Sequence, residues 1–331
     1  MESILVAGGA GFVGSHACKA LARAGYTPVT LDNLATGHAD AVKWGPLVQA
    51  DIRDADLVRQ TLRDHQITAV MHFAASSLVG ESMAKPALYY ENNVIATLRF
   101  LEALTAEGLR QIVFSSTAAV YGVAEGELIS ETAPLKPTNT YGETKRAIEG
   151  ALSWLAPVQG FGWAALRYFN AAGADEDGEI GERHDPETHL IPNMVRATLG
   201  TGPGLKVFGT DYPTADGSAV RDYIHVTDLA EAHVAALAWL KAGGAAAFGG
   251  GRAFNLGTGK GLSVLEMVAA AERVMGKTPP HEIAGRRAGD PPRLVADPSA
   301  ARAAFDWTPT RSDADTLIRT AAAFEASRAE A

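Results

Sequence analysis

SILVAGGAGFVG, residues 3–14, is a short apolar run that ends in glycines and passes into a helical pattern. The glycines read as GxxGxxG from Gly8 through Gly11 to Gly14, and as GxGxxG from Gly9. Glycines there let the backbone turn tightly and approach a pyrophosphate, while Phe12 and Val13 open a helix whose first N–H groups suit an anion. Such turns are common, so the weight falls on the acids that end the next strands. A second strand closes with Asp32-Asn33, where an acid accepts hydrogen bonds from a ribose and repels a 2′-phosphate, favouring NAD over NADP. Asp51-Ile52 closes a third. Asp51 suits either an adenine contact or the cap of the next helix, and the residues leave both readings open.

Outward from this run the pattern repeats. Ser3–Ala7, Thr27–Leu31, Pro46–Ala50, Ala69–Phe73, Gln111–Ser115 and Trp163–Tyr168 read as strands. Gly11–Ala24, Ala55–Asp64, Pro86–Glu107 and Tyr141–Trp154 read as helices. Nearly continuous apolar strands alternating with helices give an α/β fold with a parallel sheet covered on both faces. After Asn170 the character changes. Ala174–Pro192 is an acidic loop, Gly200–Gly204 breaks the chain, and Gly243–Gly251 is a Gly/Ala-rich surface loop. Arg221–Val226 and Ala253–Leu256 read as further strands around a Val226–Lys241 helix. The expectation is a smaller second domain interleaved with the first.

Composition bounds the function. With 331 residues, 47% apolar and 20% charged, the chain is globular and large enough for about two domains. A net charge of −9 argues against general nucleic-acid binding, yet leaves room for a small anion held by a few cations or helix ends. Cys18 is the only cysteine, so no internal disulfide forms; a small core residue in a reducing compartment is the expectation. Met1 leads straight into a strand without a basic, cleavable leader, and no apolar run reaches the roughly 18 residues of a membrane span. A cytoplasmic enzyme is expected, with neither nucleic acid nor membrane as partner.

Tyr141-Gly142-Glu143-Thr144-Lys145 sets a tyrosine and a lysine four apart, on one helix face. A phenol titrates near about 10, too high for a base at neutral pH. A nearby ammonium and a cationic nicotinamide ring both favour the phenolate, and a drop of about three units needs roughly 4 kcal/mol. Thr117, in Phe114-Ser115-Ser116-Thr117-Ala118-Ala119-Val120-Tyr121-Gly122, stands past the carboxyl end of a strand, where open α/β sheets place ligands. Its bland reading is a strand-end cap.

Taken in order, GGAGFVG, Asp32-Asn33, FSSTAAVYG, YGETK, LRYFNAAG, VRDYIHV and NLGTG resemble the extended short-chain dehydrogenase/reductase family, and within it the UDP-glucose 4-epimerases. The resemblance spans nearly the whole chain. It implies a Rossmann-type doubly wound sheet from residues 1–170 and about 220–258, with a UDP-sugar domain from 171–219 and about 259–331. It implies bound NAD, with Tyr141 as base, Lys145 holding the nicotinamide ribose and Thr117 assisting proton transfer. The cofactor pocket would be Gly8, Gly11, Phe12, Val13, Gly14, Asp32, Asn33, Asp51, Ile52, Phe73, Ala74, Ala75, Asn92, Ser115, Tyr141, Lys145 and Tyr168. Thr117, Tyr141, Asn170, His189, Leu190, Lys206, Phe208, Arg221 and Arg287 would hold the UDP-sugar, with Asp290 on the uridine ribose. Relatives pair through a four-helix bundle, which implies a homodimer through Pro86–Glu107 and Tyr141–Trp154.

Three positions depart from the family pattern. Ser77 stands where several members carry lysine, and Ala7 where many have threonine. Leu294 stands where members place a large aromatic or a small residue that gates N-acetylated sugars, so UDP-N-acetylhexosamines and the pentoses UDP-xylose and UDP-arabinose stay open beside the hexoses. A 4,6-dehydratase would need acids after Thr117, where this chain has Ala118-Ala119. A non-catalytic NAD-binding regulator would have lost Tyr141 or Lys145. His184, Asp185, Glu187 and His189 read as solvated loop groups rather than a metal set.

Overall fold

Apolar strands of three to seven residues alternate with helices and stack into one sheet in the computed structural model, which describes residues 1–124, 126–287 and 290–329. The strands β1 (Ser3–Ala7), β2 (Thr27–Asp32), β3 (Leu47–Gln49), β4 (Ile67–His72), β5 (Gln111–Thr117) and β6 (Gly162–Tyr168) are joined by an edge strand, Gly251–Leu256. The spatial order of the seven is edge strand, β6, β5, β4, β1, β2, β3, and every pairing is parallel. The order reverses between β1 and β4. Both strands are buried there, and the crevice beyond their carboxyl ends is where such sheets bind ligands. Two apolar cores cover the faces. Phe100, Leu104, Ile148 and Leu152 lie in one; Leu21, Leu229, Leu237 and Phe254 lie in the other. The doubly wound expectation holds.

A third core gathers Ile191, Met194, Val207, Tyr223, Met267, Leu317 and Ile318. It joins helices Leu190–Leu199, Val264–Met275 and Ala314–Ala329 to a two-stranded parallel ladder of Leu205–Phe208 with His281–Ala284. No described helix is long and apolar enough to cross a membrane.

Several boundaries differ from the sequence expectation, each for a local reason. β3 loses Pro46, which has no N–H for the ladder, although its carbonyl accepts from Thr30 N at 2.9 Å. The helical stretch expected over Pro86–Glu107 contains a wide π-type turn at Tyr90–Ile95. Asn93 explains that turn: its side chain is buried and bonds the Ser76 backbone on both sides, at 2.8 and 3.0 Å. The helix expected over Tyr141–Trp154 runs from Thr140 to Gln159. Asn139 caps its start, and Gly160 ends it at φ 72° despite Pro157 inside. Arg221–Val226 is two strands rather than one, Val220–Arg221 and Tyr223–His225, in different sheets. Asp222 turns inward between them and accepts from the backbone N–H groups of Thr258, Gly259 and Ala296.

Candidate active site at the carboxyl edge of the sheet

β1 hands the chain to helix α1 (Phe12–Arg23) through a loop that only glycine can close. A Cβ on Gly14 would lie 2.1 Å from the Gly8 carbonyl oxygen, so α1 begins pressed onto the loop. Gly11 is its N-cap, and no side chain bonds the helix's first N–H groups. Bare amides at a helix start, aimed past a glycine cradle, fit a pyrophosphate. Asp32 closes β2 with both carboxylate oxygens held, one by Ala10 N at 3.0 Å and the other by Leu34 N at 2.8 Å.

Asn33 donates to Asp51 at 2.9 Å, and Arg53 grips the same carboxylate at 2.7 Å. The Arg53 hydrogen bonds hold the Asp51 carboxyl well below the usual range. The cap of helix Ala55–Asp64 is Asp54, which accepts from Leu57 N at 3.0 Å, so the capping alternative for Asp51 is removed. Ile52 is buried beside it. Phe73 and Ala74 donate to the Ala7 carbonyl at 2.7 and 3.0 Å, which draws the end of β4, with Ala75 after it, over the glycine loop. Asn92 reaches the segment after β4 by donating to Ser76 Oγ at 2.8 Å. Ser77 is exposed there.

Tyr141 and Lys145 stand on the Thr140–Gln159 helix, and Gly142 lets its first turn press on the chain beyond β5: a Cβ there would meet the Ala119 carbonyl oxygen at 2.5 Å. Lys145 is buried; its Nζ donates to the Ser115 carbonyl at 2.8 Å and lies 5.9 Å from the centre of the Tyr141 ring. Ser115 Oγ shares a proton with the Tyr168 hydroxyl at 2.6 Å. Thr117 accepts from Ala119 N at 3.2 Å, so it caps a short turn as well as facing the site. Burial pushes the Tyr141 phenol up, the Tyr168 phenol adds to this, and the Thr117 hydroxyl opposes it. Burial also lowers Lys145 to about 7, against the pull of Glu149.

The positions expected to hold a uridine diphosphate cluster less tightly. Asn170 donates to the Asp222 carbonyl at 2.9 Å. Arg221 pairs with Asp290 at 2.6 Å, and the Arg287 guanidinium lies 4.0 Å from the Phe208 ring centre. Lys206 points to solvent and lies 3.2 Å from Glu282. Leu190 opens helix Leu190–Leu199. Leu294 lies in register with Arg221 and packs with Ala118, Val120 and Tyr121, beside Thr117.

His189 sits in a cluster with His184 and Glu187 that also includes Glu182, which the sequence did not single out. Donor atoms of Glu182, His184, Glu187 and His189 lie within 4.8 Å of one another. Burial opposes the charge on each imidazole, yet hydrogen bonds donated to Glu182 and Glu187 raise His184 to about 9 and His189 to about 10. The cluster is thereby a paired set of opposite charges. Other residues missed from the sequence are Asn93, Asp222 and the buried pair Glu149–Arg167. Only Glu149 left a signal, one helical turn beyond Lys145.

Comparison with known proteins agrees with this geometry. The model of the NAD dependent epimerase/dehydratase family matches residues 4–257. A UDP-glucose 4-epimerase of Rhizobium leguminosarum bv. trifolii is 48% identical over 320 residues, covering 97% of this chain and 96% of its own. The crystal structure of UDP-glucose 4-epimerase from Brucella ovis in complex with NAD superposes with a TM-score of 0.94 at 49% identity, covering 97% and 98%. A UDP-glucose 4-epimerase from Stenotrophomonas maltophila, with bound NAD and formylated UDP-arabinopyranose, superposes with a TM-score of 0.95 at 38% identity, covering 100% and 99%. With the glycine cradle, the Tyr141–Lys145 pair and Thr117 set along one sheet edge, this chain belongs to the NAD dependent epimerase/dehydratase family and, within it, to the UDP-glucose 4-epimerases.

Proposed function

We propose that this chain interconverts UDP-glucose and UDP-galactose at C4 through a 4-keto sugar, with NAD retained between turnovers. The observation that carries the reading is the meeting of Tyr141, Lys145 and Thr117 at the carboxyl edge of the sheet whose first strand leads into the glycine loop and the bare start of α1. NAD, when bound, supplies a reversible hydride acceptor for C4. Tyr141 takes the proton of the 4-hydroxyl and returns it after the keto sugar has turned its other face. Thr117 bonds the same oxygen. Lys145 holds the nicotinamide ribose, and Tyr168, Ser115 and Asn92 line that end. Gly8, Gly11, Phe12, Val13 and Gly14 take the pyrophosphate, Asp32 and Asn33 the adenosine ribose, and Asp51, Ile52, Phe73, Ala74 and Ala75 the remaining walls.

The smaller domain would hold the UDP. Arg221 and Arg287 suit a diphosphate because guanidinium forks bind phosphate oxygens two at a time. Asp290 would take the uridine ribose, with Asn170, His189, Leu190, Lys206 and Phe208 around it. No acid follows Thr117, so the elimination of a dehydratase has no proton donor there. Leucine at position 294 is intermediate between the large aromatic and the small residue of relatives, which keeps UDP-pentoses and UDP-N-acetylhexosamines as further readings.

Pairing of two copies is proposed through the helices at Pro86–Ala106 and Thr140–Gln159. Leu88, Tyr90, Ile95 and Leu98 on the first, and Trp154 and Val158 on the second, are exposed apolar groups, Trp154 being 78% accessible. The single, buried, unpaired Cys18 suits the reducing cytoplasm.

Incubating the purified protein with UDP-galactose and, separately, with UDP-N-acetylgalactosamine, without added cofactor, tests the reading by NMR of the products. UDP-glucose is expected from the first. No product from either, even after NAD is added, would overturn the hexose reading. Asp32→Ala should weaken NAD retention, since it removes the proposed ribose acceptor and strands the buried Ala10 amide, at about 1–3 kcal/mol, and the half-buried Leu34 amide. The cofactor content of the purified variant checks this; wild-type content would move the ribose contact elsewhere.

A further inference from the structure

We infer that Glu149 is a positioning residue for the catalytic centre, tying the ends of β5 and β6 to the helix that carries Tyr141 and Lys145 and placing a buried carboxylate beside the lysine. The inference rests on the proposed epimerase function. Residues 141, 145 and 149 succeed one another at single-turn spacing on one helix face. Glu149 and Arg167 are each 5% exposed. Glu149 Oε1 accepts from Ser116 Oγ at 2.5 Å and from Arg167 Nε at 2.9 Å, and Oε2 accepts from Arg167 Nη2 at 2.5 Å.

Each bond reaches a residue next to the reacting groups. Ser116 lies between Ser115, whose carbonyl holds Lys145, and Thr117. Arg167 lies opposite Ser116 in the sheet and precedes Tyr168. From Arg167 the network continues to the Tyr121 hydroxyl at 2.8 Å and on to Asn255 Oδ1 at 2.7 Å. One carboxylate therefore sets the spacing between Thr117 on β5 and Tyr141 on the helix. A buried ion pair seldom adds net stability over an apolar replacement. Placement of the neighbouring groups is the better account of this one.

Charge depends on the same placement. Tyr141 and Glu149 flank Lys145 on its own helix; β4 contributes His72, β5 the Ser115 carbonyl and the Phe114 ring, and β6 Arg167 and Tyr168. Burial lowers His72 to about 3, so it is neutral. Glu149 balances Arg167 and opposes the loss of the Lys145 proton. Without it, Lys145 loses its proton at lower pH, and Tyr141 keeps its own to higher pH.

Glu149→Gln and Ser116→Ala test this, the second cutting the tie to β5 while leaving the ion pair. Both are loaded with NAD and assayed on UDP-galactose across pH. In Glu149→Gln, kcat should fall on the order of 10–100-fold, the scale of a misplacement approaching 1 Å, with KM near wild type and the alkaline limb of kcat moved to lower pH. Ser116→Ala should lose kcat at unchanged KM with the limb unmoved. Tyrosinate absorbance, read against a Tyr141→Phe background, should appear at higher pH in Glu149→Gln, which answers the question even if the substrate is another UDP-sugar. Wild-type kcat in Ser116→Ala, or a Glu149→Gln protein with an unmoved limb and unmoved tyrosinate titration, overturns the inference. Should Glu149→Gln fail to fold, Ser116→Ala decides alone.

Discussion

Tyr141→Phe is expected to lose turnover by about 10²–10⁴-fold, the range that a positioned proton-transfer group contributes, while NAD content and UDP affinity stay near wild type. The substitution removes one oxygen and leaves the ring against Lys145, whose Nζ keeps its bond to the Ser115 carbonyl. Thr117 keeps the Ala119 amide, so the local fold has no reason to move. What disappears is the acceptor for the 4-hydroxyl proton. Because burial pushes this phenol up, the wild-type enzyme depends on positive charge near the phenolate, and its rate should decline as pH falls through the bound-state value. Measuring kcat and UDP binding together separates chemistry from binding. A Tyr141→Phe enzyme with wild-type kcat would remove Tyr141 from the role of base.

Gly14→Ala should abolish cofactor retention and lower Tm. The added Cβ would sit 2.1 Å from the Gly8 carbonyl oxygen and 2.9 Å from both the Gly8 carbonyl carbon and Gly9 Cα. All three are backbone atoms, so no side chain can swing away. α1 must lift off the loop, which splays the N–H groups that face the pyrophosphate. Overpacking of this kind costs about 1–3 kcal/mol or more. Gly150→Ala is the matched control: it lies in a helix with nothing within 4 Å of its Cβ. It should gain up to about 1 kcal/mol from helix propensity and keep its NAD. Bound NAD in Gly14→Ala at the control's level would contradict the account of the loop.

The parallel sheet was legible because its strands are apolar, separated by helices and ended by glycines or acids. The same order sets Asp32, Asp51, Phe73, Ser115, Thr117 and Tyr168 along one edge. The second core was not legible in detail. Val220–Arg221, Leu262–Ser263 and Arg293–Leu294 are two residues each, too short for any period to show. Arg221–Val226 read as one strand since nothing in a single sequence says that Asp222 is buried.

Charged residues were the hardest to place. Glu149, Arg167, Lys19 and Asp175 look like surface groups in a helix, strand or loop. The fold buries the first two as a pair, and joins Lys19 to Asp175, Asp177 and Glu179 at 2.6–2.8 Å. His184 looks like a solvated loop group in sequence, and His189 like a lining of the sugar pocket. Glu182 and Glu187, with side chains 6% and 2% exposed, draw both into one network. Each of these meetings joins elements or loop turns whose contact no spacing reveals.

In the proposed reaction C4 gives up its hydrogen to a retained cofactor and receives the same hydrogen back on the other face. UDP-galactose carrying deuterium at C4 tests it, with the purified protein in ordinary water, no added cofactor, and NMR of the UDP-glucose formed. UDP-glucose with its deuterium kept at C4 is expected. Deuterium lost to solvent, or UDP-glucose formed with hydrogen at C4, would contradict it.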